Sequence, residues 1–147
     1  MILEKWFDGN LELPKDVIFI RKEVFVKEQG INEKDEFDNA DAIFNTKIIV
    51  LYKNEKPFAT ARLIEKNNKL FIGRVAILKE YRGLNYGILL LNKLIEKAKK
   101  DFKYNELYVI SQSYASGFYE KVGFVAFGEE FEESNIRQVN MKLNLRW

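Results

Sequence analysis

Six residues near the middle of the chain have the types and spacing of an anion-binding turn. Residues 82–87 read Arg-Gly-Leu-Asn-Tyr-Gly and stand between an apolar stretch typical of a strand and an amphipathic stretch typical of a helix. The first amides of a helix have no intrahelical partner, and the helix dipole adds positive charge there. Gly83 and Gly87 carry no Cβ, so a ligand can approach the backbone closely. The pattern predicts a phosphate or pyrophosphate site, although an ordinary strand-to-helix turn has the same residue types.

The residue types that the chain lacks exclude several kinds of catalysis. It contains no Cys and no His among its 147 residues. A thiolate nucleophile, a disulfide, an imidazole base and a Cys or His metal site are therefore excluded. Catalysis must use carboxylates, Tyr, Lys, Arg, backbone amides or water. This favours an enzyme that orients two substrates over one with elaborate acid–base machinery.

Hydrophobic periodicity predicts the elements that position these residues. Strands are predicted at residues 2–7, 43–52, 58–66, 69–78, 107–111, 124–130 and 136–145, and helices at 16–28, 87–102 and 113–122. Residues 32–38 have no apolar period and read as an acidic loop. The long helix between the fourth and fifth strands predicts that these two strands pair in parallel. The expected fold is one α/β domain over residues 1–147, with a mixed sheet of about seven strands flanked by helices.

Composition limits the partners. With 24 basic and 22 acidic residues, the chain gives no reason to expect nucleic-acid binding. We find no apolar run of membrane-spanning length and no secretory leader, so we expect neither a membrane partner nor export, and we expect a cytoplasmic protein. A small molecule is the more natural partner.

Two segments and the element order resemble the GNAT superfamily of acyl-CoA-dependent N-acetyltransferases over almost the whole chain. Residues 82–87 are similar to the phosphate-loop pattern Arg-Gly-x-Gly-x-Gly, with Asn85 in place of the middle glycine. Asn adopts positive φ more readily than most residues, which favours retention of the loop. Residues 118–124 resemble the Phe-Tyr-x-x-x-Gly-Phe stretch late in that family, and residues 21–29 with the acidic loop resemble its ElaA-like branch.

The resemblance implies a donor, a mechanism and a set of residues. Acetyl-CoA is the expected donor, and an amine is expected to attack it directly in a ternary complex. Tyr119 is the expected proton donor to the leaving thiolate. The residues implied to bind the coenzyme through the backbone are Val75, Ala76 and Ile77, at the thioester and pantetheine arm, and Arg82, Gly83, Leu84, Asn85, Tyr86 and Gly87, at the pyrophosphate.

The acceptor side is less specified. Glu28 is the candidate general base, and Phe25 and Gln29 are expected to shape the acceptor site. Arg74 and Arg62 either bind substrate or pair with the acidic loop, because a charge on a central strand needs a partner. Carboxylates across residues 33–41 hint at a cationic acceptor, and the expected acceptor is a small-molecule or peptide amine.

Two other functions fit the same residues. An acyl-homoserine-lactone synthase shares this fold and uses S-adenosylmethionine, and its N-terminal pattern resembles Arg21, Phe25, Glu33 or Glu36, Asp35, Asp38 and Arg62. A non-catalytic module that senses acyl-CoA would also retain the phosphate loop. GNAT proteins are often dimers, so a homodimer is allowed, although no residue here specifies the contact.

Overall fold

A computed structural model describes residues 1–133 and 135–146, which form one seven-stranded sheet flanked by helices. The strands are β1 (Ile2–Asp8), β2 (Lys47–Lys53), β3 (Lys56–Lys66), β4 (Lys69–Ile77), β5 (Glu106–Gln112), β6 (Val125–Glu133) and β7 (Ile136–Asn144). The helices are α1 (Lys15–Arg21), α2 (Glu33–Glu36), α3 (Tyr86–Asp101) and α4 (Ser116–Glu120), and a π-helix (Lys22–Glu28) continues α1. The α/β class expected from the sequence is confirmed.

The sheet is mixed, in the order β1-β2-β3-β4-β5-β7-β6. All neighbouring strands are antiparallel except β4 and β5, which are parallel. α3 makes the crossover that a parallel pair needs, so the predicted pairing is confirmed. Two-residue turns close the first two hairpins of the meander, and their residues, Asn54, Glu55, Asn67 and Asn68, all have positive φ. Such turns match the twist of the flanking strands.

The core lies on both faces of the central strands. Residues 48–52 of β2 and 58–63 of β3 form unbroken buried runs, which require cover on both faces. The helices that contact β3 are α1, which buries Val17 and Ile20, and α3, which buries Leu91 and Leu94. α1 and the π-helix that continues it also contact β4.

Three segments differ from the sequence-based expectation. The acidic stretch predicted as a loop contains the short helix α2, because the side chain of Asn32 caps it by accepting a hydrogen bond from the Lys34 amide at 2.9 Å. A 3-10 turn at Asn39–Ala42 delays β2, so that strand begins at Lys47 and not at residue 43. The first helix ends in π geometry, with the Gln29 amide donating to the Val24 carbonyl. No helix within residues 1–133 and 135–146 has the length and apolar character needed to cross a membrane.

Candidate active site

A cavity opens where β4 and β5 diverge. Their pairing stops at Ile72 and Val109, yet β4 continues to Ile77 and β5 to Gln112. The gap forms a cavity of about 380 Å³. Five residues singled out by the sequence line it: Phe25, Gln29, Arg74, Val75 and Tyr119. The candidate acceptor residues and the candidate proton donor are therefore brought together.

A bulge in β4 shapes one wall of this cavity. Gly73 is opposite Arg62 and Ala76 is opposite Thr60, so β4 has two residues, Arg74 and Val75, where β3 has one. Arg74 has φ 52°, a left-handed conformation that is strained for a residue with a long side chain. The bulge releases the backbone of these two residues from the β3 ladder.

Tyr119 lies at the boundary between the core and the cavity. Its side chain is only 8% exposed, and its ring packs edge-on against Phe118 and Phe124, with centroid distances of 5.0 and 5.9 Å. Burial raises the pKa of the Tyr119 phenol to about 12, because the phenolate loses hydration. At neutral pH the hydroxyl is protonated and can act as a donor.

The predicted phosphate loop forms a second, smaller pocket of about 200 Å³ at the start of α3. Gly83 and Asn85 have φ 77° and 65°, so Asn85 adopts the positive φ expected of it. Arg82 and Lys121 line the pocket with positive charge, and Tyr86 begins the helix. The free amides of the first helical turn and two cationic side chains suit a diphosphate.

Two side chains of the loop are poorly placed to bind a ligand in this pocket, although Tyr86 forms part of its wall. Leu84 is 55% exposed and lies outside the pocket wall. The hydroxyl of Tyr86 accepts a hydrogen bond from Lys53 Nζ at 2.8 Å, and its ring packs on Phe58. The backbone groups of Leu84 and Tyr86 are therefore their remaining means of binding a ligand.

Gly87 has a packing reason to be glycine. A Cβ at this position would stand 2.5 Å from Cε1 of Phe118, well inside van der Waals contact. The ring of Phe118 therefore lies directly on the first turn of α3. This contact joins the two family-like segments, residues 82–87 and 118–124, into one site.

Glu28 and Arg82, predicted to play separate roles, form an ion pair with each other. The two carboxylate oxygens of Glu28 accept from Nη1 and Nη2 of Arg82, both at 2.9 Å, and Arg82 Nε donates to the Ile77 carbonyl at 2.8 Å. Glu28 does not line the cavity between β4 and β5. Of the three β4 residues implied to bind the pantetheine, Ile77 thus has its carbonyl occupied, and Ala76 is buried with 2% exposure.

A largely buried cluster, which we call the arginine network, lies beside the cavity, and sequence reasoning missed the part that Arg21 plays in it. It consists of Arg21, Arg62, Arg74, Glu36, Asp38 and Asp41. Arg21 is 1% exposed and binds Glu36 and Asp41, each at 2.8 Å. The available signal was its spacing, because Arg21 follows the buried Val17 by four residues and so lies on the apolar face of the helix.

The network uses the carboxylates of the acidic stretch. Arg62 binds Asp38 at 2.7 Å and Asp41 at 2.8 Å, and Arg74 binds Glu36 at 3.1 Å. Burial disfavours the charge on Asp38, but the hydrogen bond and charge of Arg62 outweigh it and hold the pKa of Asp38 at about 2. Of the two predicted alternatives for Arg62 and Arg74, pairing with the acidic stretch is the one observed.

The sequence matches an acetyltransferase family over most of its length. Residues 22–145 match the acetyltransferase (GNAT) domain family. An uncharacterized N-acetyltransferase of Bacillus subtilis, YjcF, is 32% identical over 133 residues, covering 90% of this chain and 93% of that protein. Escherichia coli ElaA is 30% identical over 125 residues, covering 83% of this chain and 81% of ElaA.

Solved structures agree with the sequence relatives. The crystal structure of Escherichia coli ElaA superimposes with a TM-score of 0.83 at 26% identity, covering 97% of this chain and all 100% of that one. A putative N-acetyltransferase from Lactobacillus plantarum gives a TM-score of 0.83 at 27% identity, with 97% and 99% coverage. The divergent strands, the phosphate loop and these relatives together identify the chain as an acyltransferase that belongs to the acetyltransferase (GNAT) family, within its ElaA-like group.

Proposed function

We propose that this acyltransferase transfers the acetyl group of acetyl-CoA to a primary amine by direct attack in a ternary complex. The observation that carries the proposal is that the two pockets adjoin: Phe118 lines both the cavity between β4 and β5 and the smaller pocket at α3. A ligand with a diphosphate at one end and a thioester at the other would occupy both. Acetyl-CoA has this form, and a GNAT acetyltransferase from Elizabethkingia anophelis with the same fold (TM-score 0.69, 17% identity) has acetyl-CoA bound.

The coenzyme end of the proposed site uses backbone and charge. The amides of Gly83, Asn85 and the first turn of α3 would hold the diphosphate, and the side chains of Arg82 and Lys121 would balance its charge. Leu84, Tyr86 and Gly87 take part through their backbone alone.

The reacting end lies at the bulge and at Tyr119. The bulge frees the backbone of Val75 from β3, so its amide is our candidate donor to the carbonyl oxygen of the thioester, with Ala76 and Ile77 along the pantetheine arm. Bound acetyl-CoA supplies the acyl group. As the amine nitrogen bonds to the carbonyl carbon, the C–S bond breaks, and Tyr119 gives its proton to the sulfur.

The amine must lose a proton before or during attack. Glu28, the candidate base, holds Arg82 with both oxygens and would have to release it to act. Glu36, which does line the cavity, already binds Arg21 and Arg74. We therefore assign Glu28 to positioning Arg82, and we assign the loss of the amine proton to water in the open cavity.

Initial-rate kinetics test the direct attack. Thiol release is measured while acetyl-CoA and an amine are varied together, over a panel of small-molecule and peptide amines. A ternary complex gives intersecting double-reciprocal lines, as expected for a chain without Cys. Parallel lines, which indicate an acyl-enzyme, would contradict the proposal.

A second candidate is an activity of the acyl-homoserine-lactone synthase type. The crystal structure of a CoA-dependent synthase of this class, BjaI, with S-adenosylmethionine and isopentyl-CoA shares the fold with a TM-score of 0.79 at 14% identity. S-adenosylmethionine as acceptor in the same assay separates the candidates. Acetyl-CoA binding without turnover of any acceptor would instead favour a non-catalytic acyl-CoA sensor.

A further inference from the structure

Among the described residues, the one carboxylate that lines the cavity, that of Glu36, is already bound to two arginines. Glu36 and Arg74 are the charged residues that line the cavity. Glu36 is 1% exposed, and its Oε2 lies 2.8 Å from Arg21 Nε and 3.1 Å from Arg74 Nε. Asp38 and Asp41 are likewise bound to arginines of the network. The acidic stretch, which hinted at a cationic acceptor, is therefore occupied in holding the arginines.

Arg74 has hydrogen-bond donors to spare. Its Nε contacts the Glu36 carboxylate and carbonyl, and its Nη2 contacts Asp38 and the Asp35 carbonyl. Its Nη1 makes no hydrogen bond within residues 1–133 and 135–146. Arg62 Nε is the one buried side-chain nitrogen or oxygen without a partner in that part of the chain, so Nη1 of Arg74 is open to solvent.

The surroundings of Arg74 favour an anion. Burial lowers the pKa of the Arg74 guanidinium, and the neighbouring charge of Arg62 lowers it further. The carboxylates of Glu36 and Asp38 raise this pKa but do not fully offset the lowering. A negative group on the open side of the guanidinium would stabilise its charge further, because opposite charges attract strongly where water is excluded.

Neutral hydrogen-bonding groups surround this position. The chain contains three glutamines, Gln29, Gln112 and Gln138, and all three line the cavity. They come from three separate elements: the end of the π-helix, β5 and β7, where Gln112 and Gln138 are opposite each other. None of their side-chain amides is hydrogen-bonded to another described residue, so their donors and acceptors are free for a ligand.

We propose that the acceptor is an amine of amino-acid size that carries a carboxylate, with the carboxylate held by Arg74 Nη1 and by the glutamine amides. Arg74 is already paired with Glu36 and Asp38 and has one guanidinium nitrogen free, which suits a singly charged carboxylate better than a phosphate dianion. Phe25 and Ile31 line the same cavity and offer an apolar surface to the rest of the molecule. This assignment rests on the proposed acetyl transfer and names the acceptor class for it.

Matched acceptors test the assignment. Thiol release from acetyl-CoA is measured with a panel of apolar α-amino acids and, beside each, the amine that lacks only the carboxylate; spermidine represents polycations. We expect kcat/KM at least about tenfold higher for the amino acid of the best pair, the size of one charge-assisted contact. Equal or reversed preference, or preference for spermidine, would overturn the assignment.

Two variants test which residues bind the carboxylate of the acceptor. Gln138→Leu removes one amide without touching the arginine network, and Arg74→Asn removes the guanidinium while keeping a residue that accepts positive φ. Each is expected to reduce the preference for the carboxylate, chiefly through KM for the amino acid. Asn140→Leu is the matched control, because Asn140 lies two residues farther along β7, on the same face, and does not line the cavity. A preference unchanged in Gln138→Leu and in folded Arg74→Asn would place the carboxylate elsewhere and overturn the assignment.

The proposed acceptor class and the proposed acetyl transfer can be refuted separately. Calorimetric titration of the same preparation with acetyl-CoA reports on the donor alone. Turnover of amines without a carboxylate preference refutes only the acceptor class, whereas absence of acetyl-CoA binding refutes the proposed function as well.

Discussion

The acceptor and coenzyme ends of the candidate site use arginine in opposite ways. At the acceptor end, Arg21 and Arg62 are 1% and 4% exposed and are locked among buried carboxylates. At the coenzyme end, the side chains of Arg82 and Glu28 are 42% and 35% exposed and form an ion pair with each other. A buried ion pair resists separation because each charge left behind is unsolvated, whereas an exposed pair exchanges readily with water or ligand. The comparison indicates a rigid acceptor end and an exchangeable coenzyme end.

The largest effect is expected from breaking the rigid end. Arg21→Leu leaves Glu36 and Asp41 buried with fewer partners, and we expect a loss of about 3–5 kcal/mol in the free energy of unfolding. Urea denaturation measures it. Lys27→Ala is the control, because it breaks the exposed pair of Lys27 and Glu23 at 2.8 Å and should cost less than about 1 kcal/mol. Similar losses in both variants would mean that the buried network contributes no more to stability than an exposed pair does.

The second effect concerns Tyr119, where the two ends meet. Tyr119→Phe removes the proton donor but keeps the ring, so kcat should fall by about 100-fold or more while KM for acetyl-CoA stays near its original value. Because burial raises the pKa of this phenol to about 12, the wild-type rate should not lose this donor at the pH near 10 where an exposed tyrosine ionises.

The matched variant for Tyr119 is Tyr108→Phe. The Tyr108 hydroxyl donates to Glu106 on β5 and lies outside the cavity, so its loss should leave kcat within about twofold. Unchanged turnover in Tyr119→Phe would rule out the proton-donor role.

A smaller effect is expected at the backbone of the coenzyme end. Asn85 has φ 65°, and valine there should cost about 1–2 kcal/mol of stability and weaken acetyl-CoA binding, because a β-branched residue disfavours this conformation. Asn85→Gly is the paired variant and should bind at least as well as the wild type. Denaturation and calorimetry report the two quantities. Equal affinities for the Val and Gly variants would mean that this conformation does not matter for the coenzyme.

The smallest change in stability is expected from Glu28→Gln. The exposed pair with Arg82 should contribute less than about 1 kcal/mol, so urea denaturation should shift little. As a positioning residue, Glu28 should affect KM for acetyl-CoA and leave kcat within about threefold. A general base would instead lose about 100-fold or more in kcat, and that result would restore Glu28 to the base role.

The parts of the fold that the sequence predicted are those with strong local signals. The apolar runs and turns of the β2–β4 meander, the amphipathic stripe of α3 and the resulting parallel pairing of β4 with β5 follow from patterns within each segment. The two glycines and the asparagine of residues 82–87 likewise indicate, within one short segment, where the backbone requires positive φ or close packing.

The parts that escaped prediction depend on contacts between distant segments. Arg82 meets Glu28 across 54 positions, and Arg21 meets Asp41 across 20. No local pattern marks such pairs, so the sequence predicted an acidic loop and left open whether it pairs with Arg62 and Arg74. Gln138 was missed because a single glutamine in a strand has no signature until β7 places it opposite Gln112.

Calorimetric titration with acetyl-CoA, beside S-acetylpantetheine, tests the central claim most directly. The two ligands share the thioester arm, and only acetyl-CoA carries the diphosphate that the pocket at α3 is proposed to hold. The account predicts that acetyl-CoA binds with a stoichiometry of one per chain and much more tightly than S-acetylpantetheine. Equal affinities, or no binding of acetyl-CoA, would contradict it.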